Sequence, residues 1–215
     1  MLSLVVCLGG IFLILLLAEI LWKQKILKGE NQRKFVHISS ASFIAFWPWL
    51  ISWKAIQIIG VLMTVILLVN RSRDYLHILG DIRTRYYGDV FLGLTVVLTA
   101  LITTDKVFFA VAILHVALAD GFAAVIGTNF GRKWKYKIFG QTKTVVGTMV
   151  FWLVSLSILG VGVLATDGAI SYSNYALLLV FLPPTLALIE NVSIWGLDNI
   201  TLPLAVIAAL NLASA

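Results

Sequence analysis

Apolar residues run along the chain in long stretches that seldom alternate with polar ones, and each stretch ends in a short segment carrying charge, glycine or proline. A bilayer core about 30 Å thick takes roughly 20 apolar helical residues to cross. The runs predict membrane-spanning helices at about Leu2–Trp22, Phe35–Trp53, Ala55–Asn70, Val90–Thr103, Val107–Thr128, Thr148–Thr166, Tyr175–Glu190 and Leu202–Ala213. The last is the shortest, so the expected fold is an all-α transmembrane bundle of seven or eight spans. No basic residue precedes the first run, whereas Lys23, Lys25 and Lys28 follow it. Those flanks are wrong for a cleaved signal peptide, so the run should stay as a helix with its N-terminus outside. With no repeat, linker or low-complexity tract, the chain reads as a single integral-membrane domain over residues 1–215, without a soluble domain.

Composition agrees. Of 215 residues, 60% are hydrophobic and only 12% charged, against about a quarter charged in soluble domains. The single cysteine, Cys7, lies within an apolar run, so no disulfide forms within the chain.

The net charge of +6 would suggest nucleic acid in a soluble protein. Here 14 of the 16 basic residues fall in the first, third and fifth loops, and only Lys54 and Lys106 fall on the other side. The positive-inside rule and anionic headgroups explain this distribution without nucleic acid, and they make the odd-numbered loops cytoplasmic. Trp22 and Trp195 near inner ends, with Trp47, Trp49 and Trp53 at an outer end, read as interfacial anchors.

Ionisable groups inside spans are costly and mark function or pairing. Glu19 can pair with Lys23 one turn on. Asp120 opens a stretch of small residues, Gly121, Ala123, Ala124 and Gly127, that lets another helix approach closely. Beyond it lie Gly131, Arg132, Lys133, Lys143 and Thr144. This stretch reads either as helix packing with one paired carboxylate or as a nucleotide site. In a nucleotide site Asp120 would hold Mg²⁺, small residues would admit phosphate, and cations would offset its charge. Arg33 and Lys34 read as an interfacial anchor, and His37 behind them as a hydrogen-bonded structural residue or a site residue. His77 and His115 have less support, and His115 lies five residues before Asp120, off its helical face. Asp198, Asn199 and Pro203 fit a capped turn, which leaves Glu190 in an apolar run needing a partner or a cation.

The topology gathers these three stretches at one face. A site there could meet a phosphorylated solute from the cytosol and a lipid headgroup from the side. Phosphoryl or nucleotidyl transfer to a lipid fits, because such chemistry needs chiefly positioning, Mg²⁺ and cations around phosphate oxygens.

In order along the chain stand Arg33-Lys34-x-x-His37, Asp120-x-x-Ala-x-x-x-Gly127-x-x-x-Gly131, Lys143-Thr144-x-x-Gly147 and Glu190-x-x-Ser193-x-x-Gly-x-Asp198-Asn199. Together they resemble the CTP-dependent polyprenol kinase family, which includes phytol and dolichol kinases. More distantly they are similar to CDP-diacylglycerol synthase (phosphatidate cytidylyltransferase). The resemblance implies phosphate transfer from CTP to a membrane-resident prenyl alcohol or diacylglycerol, with Mg²⁺. It makes Asp120, Lys143 and Glu190 the expected catalytic residues, with Asp120 and Asp198 as metal ligands. Arg33, Lys34, His37, Gly127, Gly131, Arg132, Thr144, Gly147 and Asn199 would then surround nucleotide or headgroup. One departure stands out. Such proteins usually carry an acidic residue before the glycine of Lys-(Ser/Thr)-x-x-Gly, and here Val146 occupies it. If a carboxylate is needed there, the chain either uses another acid or is a degenerate, non-catalytic member.

The rival within the resemblance is cytidylyl transfer to phosphatidate. A small transporter is the rival of another class, but it predicts ionisable residues spaced through the membrane depth. The expected partners are a membrane lipid and CTP, with no nucleic acid, and a homodimer is allowed.

Overall fold

The structure, a computed structural model, describes residues 2–73, 87–166 and 168–215. His77, Arg83 and Arg85 lie outside the described residues. The helices are α1 (Leu2–Lys23), α2 (Glu30–Ala45), α3 (Trp53–Arg73), α4 (Gly88–Ile102), α5 (Lys106–Leu114), α6 (Gly121–Phe130), α7 (Val145–Leu164), α8 (Tyr172–Val192) and α9 (Asp198–Ser214). Five segments are long and apolar enough to cross a membrane: Leu2–Lys23, Trp53–Arg71, Lys106–Phe130, Val145–Leu164 and Tyr172–Val192. Gly88–Ile102 and Asp198–Ser214 are shorter apolar helices. The expected multi-pass helical bundle is the architecture observed.

Helix starts follow local chemistry. Asp105 caps α5, its Oδ1 accepting from the amides of Val107 (2.8 Å) and Phe108 (2.9 Å). Thr144 caps α7 through the Gly147 amide at 3.0 Å, which starts that helix three residues before the expected Thr148. Asp198 opens α9 as a first-turn acid, where the helix dipole favours negative charge. The predicted turn at Asp198-Asn199 is therefore already helix.

The predicted span Phe35–Trp53 needs correction. Helix α2 starts at Glu30 and stops at Ala45, after which Trp47–Trp49 form a 3₁₀ turn around Pro48. Its first half carries Gln32, Arg33, Lys34 and His37, so it is not a uniformly apolar span. Trp47 is fully buried in the core rather than anchored at an interface, while Trp49 and Trp195 are about half exposed. Glu19 and Lys23 pair as expected, at 3.2 Å.

Two features are absent from the sequence reading. The residues between α5 and α6, His115–Asp120, wind as a π-helix, making Lys106–Phe130 one continuous rod with a widened turn. The fifth loop folds into an antiparallel hairpin, β1 (Lys135–Ile138) with β2 (Gln141–Thr144), in which Tyr136 faces Lys143. Its two-residue turn, Phe139-Gly140, takes positive φ at both positions (46° and 79°), the twist that a tight hairpin requires.

The rod is the centre of the bundle, touching α2, α7 and α9, while α1 and α3 turn rows of leucine, valine and isoleucine outward. Lipid tails are as apolar as those side chains, so helix association in a bilayer depends on close packing rather than on escape from water. Gly127 and Gly147 supply it: a Cβ on Gly147 would stand 3.0 Å from the Ala123 carbonyl, and one on Gly127 would stand 3.1 Å from the Gly147 Cα.

At one end of the bundle the α8–α9 turn meets the start of α4. The Tyr87 amide donates to the Trp195 carbonyl at 2.9 Å. Asn199 Nδ2 donates to the Gly88 carbonyl at 2.8 Å. Arg71 lies 3.9 Å above the Tyr87 ring. That end bears the polar cavity.

Candidate functional site

A cavity of about 250 Å³ opens between the N-terminal part of α2, the rod, the hairpin and the α8–α9 turn. Each wall is delivered by a short-range feature. Helix α2 brings Arg33 and Lys34 from its first turns, and the π-turn ends at Asp120. Strand β2 carries Lys143, and Glu190 and Asp198 flank the turn at Trp195-Gly196, both of positive φ. Asp120 sits ten residues before the end of the rod, about 15 Å along it at 1.5 Å per residue. The cavity therefore reaches into the bundle.

The carboxylates of Asp120, Glu190 and Asp198 converge, with one oxygen from each lying within 4.8 Å of the others, and all three residues are buried. Two have their own cation. Lys34 Nζ lies 2.7 Å from Asp120 Oδ2. Lys143 Nζ donates to Glu190 Oε1 at 2.5 Å and to the Glu190 carbonyl at 3.2 Å. Asp198 accepts from the Asn199 amide at 3.0 Å and, among the described residues, has no cation within salt-bridge distance. Buried carboxylates this close repel unless compensated. An all-oxygen donor set of this kind suits a hard divalent cation, which takes carboxylate oxygens as ligands. The residues fit such an ion.

Of the residues singled out from sequence, Arg33, Lys34, Asp120, Gly127, Lys143, Thr144, Gly147, Glu190 and Asp198 line the cavity. Four do not. The Nε2 of His37 lies 3.2 Å from the Val116 carbonyl, inside the bundle and 4.0 Å from Asp120 Oδ2. Gly131 is a packing position, where a Cβ would stand 2.6 Å from Thr144 Oγ1. Arg132 is exposed beyond the cavity wall, and Asn199 is spent on tying α9 to α4. Helix α7 sets Val146 outside the cavity lining; the acid beside Lys143 is Glu190, reached across 47 positions of sequence.

The sequence reading missed the polar lining supplied by Thr128, Gln141, Thr142 and Thr148. It also missed Asp89, which holds Arg33 at 3.8 Å. Their signal was faint: Gly88-Asp89 is a helix-start pattern, and single threonines in apolar runs usually satisfy backbone. The hairpin is fastened by Tyr136, whose hydroxyl bonds Thr148 and donates to Asn191 Oδ1 (2.6 Å). Lys143 is thus carried on a braced strand.

Fold and site together define a polytopic helical membrane protein with a buried carboxylate–lysine cavity at one end of its bundle. No family model and no solved structure matches the chain. A phytol kinase from Synechocystis sp. is 30% identical over 201 residues, covering 89% of this chain and 82% of that protein. The chain belongs to the polyprenol and phytol kinase family.

Proposed function

We propose that this protein transfers the γ-phosphate of CTP to the hydroxyl of a membrane-resident lipid alcohol, such as phytol or another polyprenol, with Mg²⁺ and at the cytoplasmic face. The convergence of Asp120, Glu190 and Asp198 beside Lys34 and Lys143 carries the reading. Three carboxylates against Arg33, Lys34 and Lys143 leave the cavity without the positive excess that a nucleoside triphosphate needs. A divalent cation removes that conflict, and when bound it neutralises charge on the phosphate oxygens. CTP is the donor implied by the motif resemblance, and a lipid alcohol is the acceptor named for the relative.

In this scheme Lys143, oriented by Glu190, contacts the phosphate to be transferred. Gly127 and Gly147 leave room for backbone to approach it. The acceptor oxygen bonds to the γ-phosphorus as the bond to the bridging oxygen breaks; CDP leaves, and the hydroxyl proton passes to Asp120. Lys34 holds that carboxylate in place. The fifth loop carries five of the basic residues, which supports a cytoplasmic position for the cavity.

Membranes supplied with CTP labelled at either the γ- or the α-phosphate test the reaction. Movement of γ label into a lipid alcohol is the expected result. Movement of α label into phosphatidate would replace the kinase by a cytidylyltransferase.

A further inference from the structure

A second cavity, about 210 Å³ and almost wholly apolar, lies on the other side of α2, between α1, α3 and α4. Arg33, Val36, His37 and Ser40 face it from α2, the i, i+3, i+4, i+7 spacing of one helical face. Lys34 lies on the other face, against Asp120. Arg33 borders both cavities, so α2 stands between them and shares its N-terminal end with each. Polar groups of the groove other than Ser40 cluster at that end, where Arg33 meets Asp89 and His37 lies 4.0 Å from Asp120. Ile11, Leu15, Met63, Leu67 and Leu92 form the remainder, and Ile66 on the rim is more than half exposed on the lipid-facing side of α3.

From this placement we infer that the groove between α1, α2 and α3 receives the hydrocarbon chain of the acceptor alcohol, with its hydroxyl passing beneath Arg33 into the polar cavity. The inference rests on the kinase reading and adds the acceptor's seat and its class. A volume on the order of seven water-sized groups holds the first carbons of one chain and leaves the rest in the bilayer. A single-chain alcohol therefore fits, whereas the second tail of diacylglycerol would have to stay outside the groove.

The test uses the full chain in lipid nanodiscs with a phytol analogue bearing a diazirine among its first carbons. Irradiation should attach it to peptides of α1 and α3 around Leu15 and Met63. Excess phytol should suppress the adducts, and diacylglycerol should not. Leu15→Trp and Met63→Trp, on two different helices, should each abolish labelling and raise KM for phytol roughly tenfold, the scale of misplaced methylenes in an apolar pocket. KM for CTP should not move. Leu212→Trp, in the apolar groove between α8 and α9, should change nothing. Adducts confined to Phe181 and Leu212, or groove adducts that phytol does not displace, would overturn the assignment. Groove labelling that phytol suppresses, found together with no transfer of γ label to any alcohol, would sink the kinase reading and leave the groove standing.

Discussion

Lys34 and Asp120 are 86 positions apart in sequence, yet the ammonium lies 2.7 Å from the carboxylate with both side chains at 5% exposure or less. This contact joins the polar half of α2 to the centre of the rod. Breaking such a buried pair from one side leaves an uncompensated charge and costs about 3–5 kcal/mol. Lys34→Met should therefore lower the apparent Tm of detergent-purified protein more than Lys34→Met combined with Asp120→Asn. Equal or greater loss in the double variant would show that the pair is not coupled.

Asp120→Asn keeps the shape of the side chain and removes its charge. It should reduce γ-phosphate transfer by about 10²–10³, the cost of losing one preorganised group at a reacting centre. Membrane insertion should be intact by protease protection. A variant that retains wild-type turnover would remove Asp120 from the reaction.

Chelation with EDTA should abolish activity, and added Mg²⁺ should restore it. Because Asp198 has no cation of its own within reach among the described residues, Asp198→Asn should raise the Mg²⁺ concentration for half-maximal rate by about 10–100-fold. An unchanged Mg²⁺ titration would place the ion elsewhere.

Glu190 and Lys143 test the replacement for the acid missing at position 146. Glu190→Gln should lower kcat with little effect on insertion, because it frees the Lys143 ammonium from its hold. Introducing the usual acid through Val146→Asp should not rescue that variant, since position 146 is not in the cavity lining. Rescue of kcat by the double substitution would contradict the role given to Glu190.

A buried polar pair away from the cavity gives a contrasting case. His115 hydrogen-bonds the Val111 carbonyl through Nδ1 at 2.7 Å and Ser155 Oγ through Nε2 at 3.0 Å. Ser155→Ala should cost about 1–3 kcal/mol for the stranded ring nitrogen. It should show as a lower Tm with KM for both substrates unchanged.

The apolar runs were legible because bilayer thickness imposes their length, and most predicted spans match a helix to within a few residues. Glu19 with Lys23, and the small-residue face at Gly127, were legible because helical spacing alone determines them. The pairing of Lys34 with Asp120 and of Lys143 with Glu190 was not, because side-chain partners 86 and 47 positions apart depend on how helices are arranged. Four-residue strands are too short to show alternation, and Phe139-Gly140 lacks the asparagine or aspartate that usually marks a tight hairpin turn. Trp47 was misread because its indole, followed by Pro48, carries the same residue-type signal whether it faces lipid or core.

The widened turn at His115–Asp120 has a consequence for what the chain tolerates. Such a turn takes up one residue more than regular winding. Wound as a regular α-helix, the same residues would turn everything after the stretch by about 100°. Gly127 would leave Gly147, and the aspartate would turn from its lysine. The surplus residue works as an angular setting, so the stretch tolerates no return to regular winding.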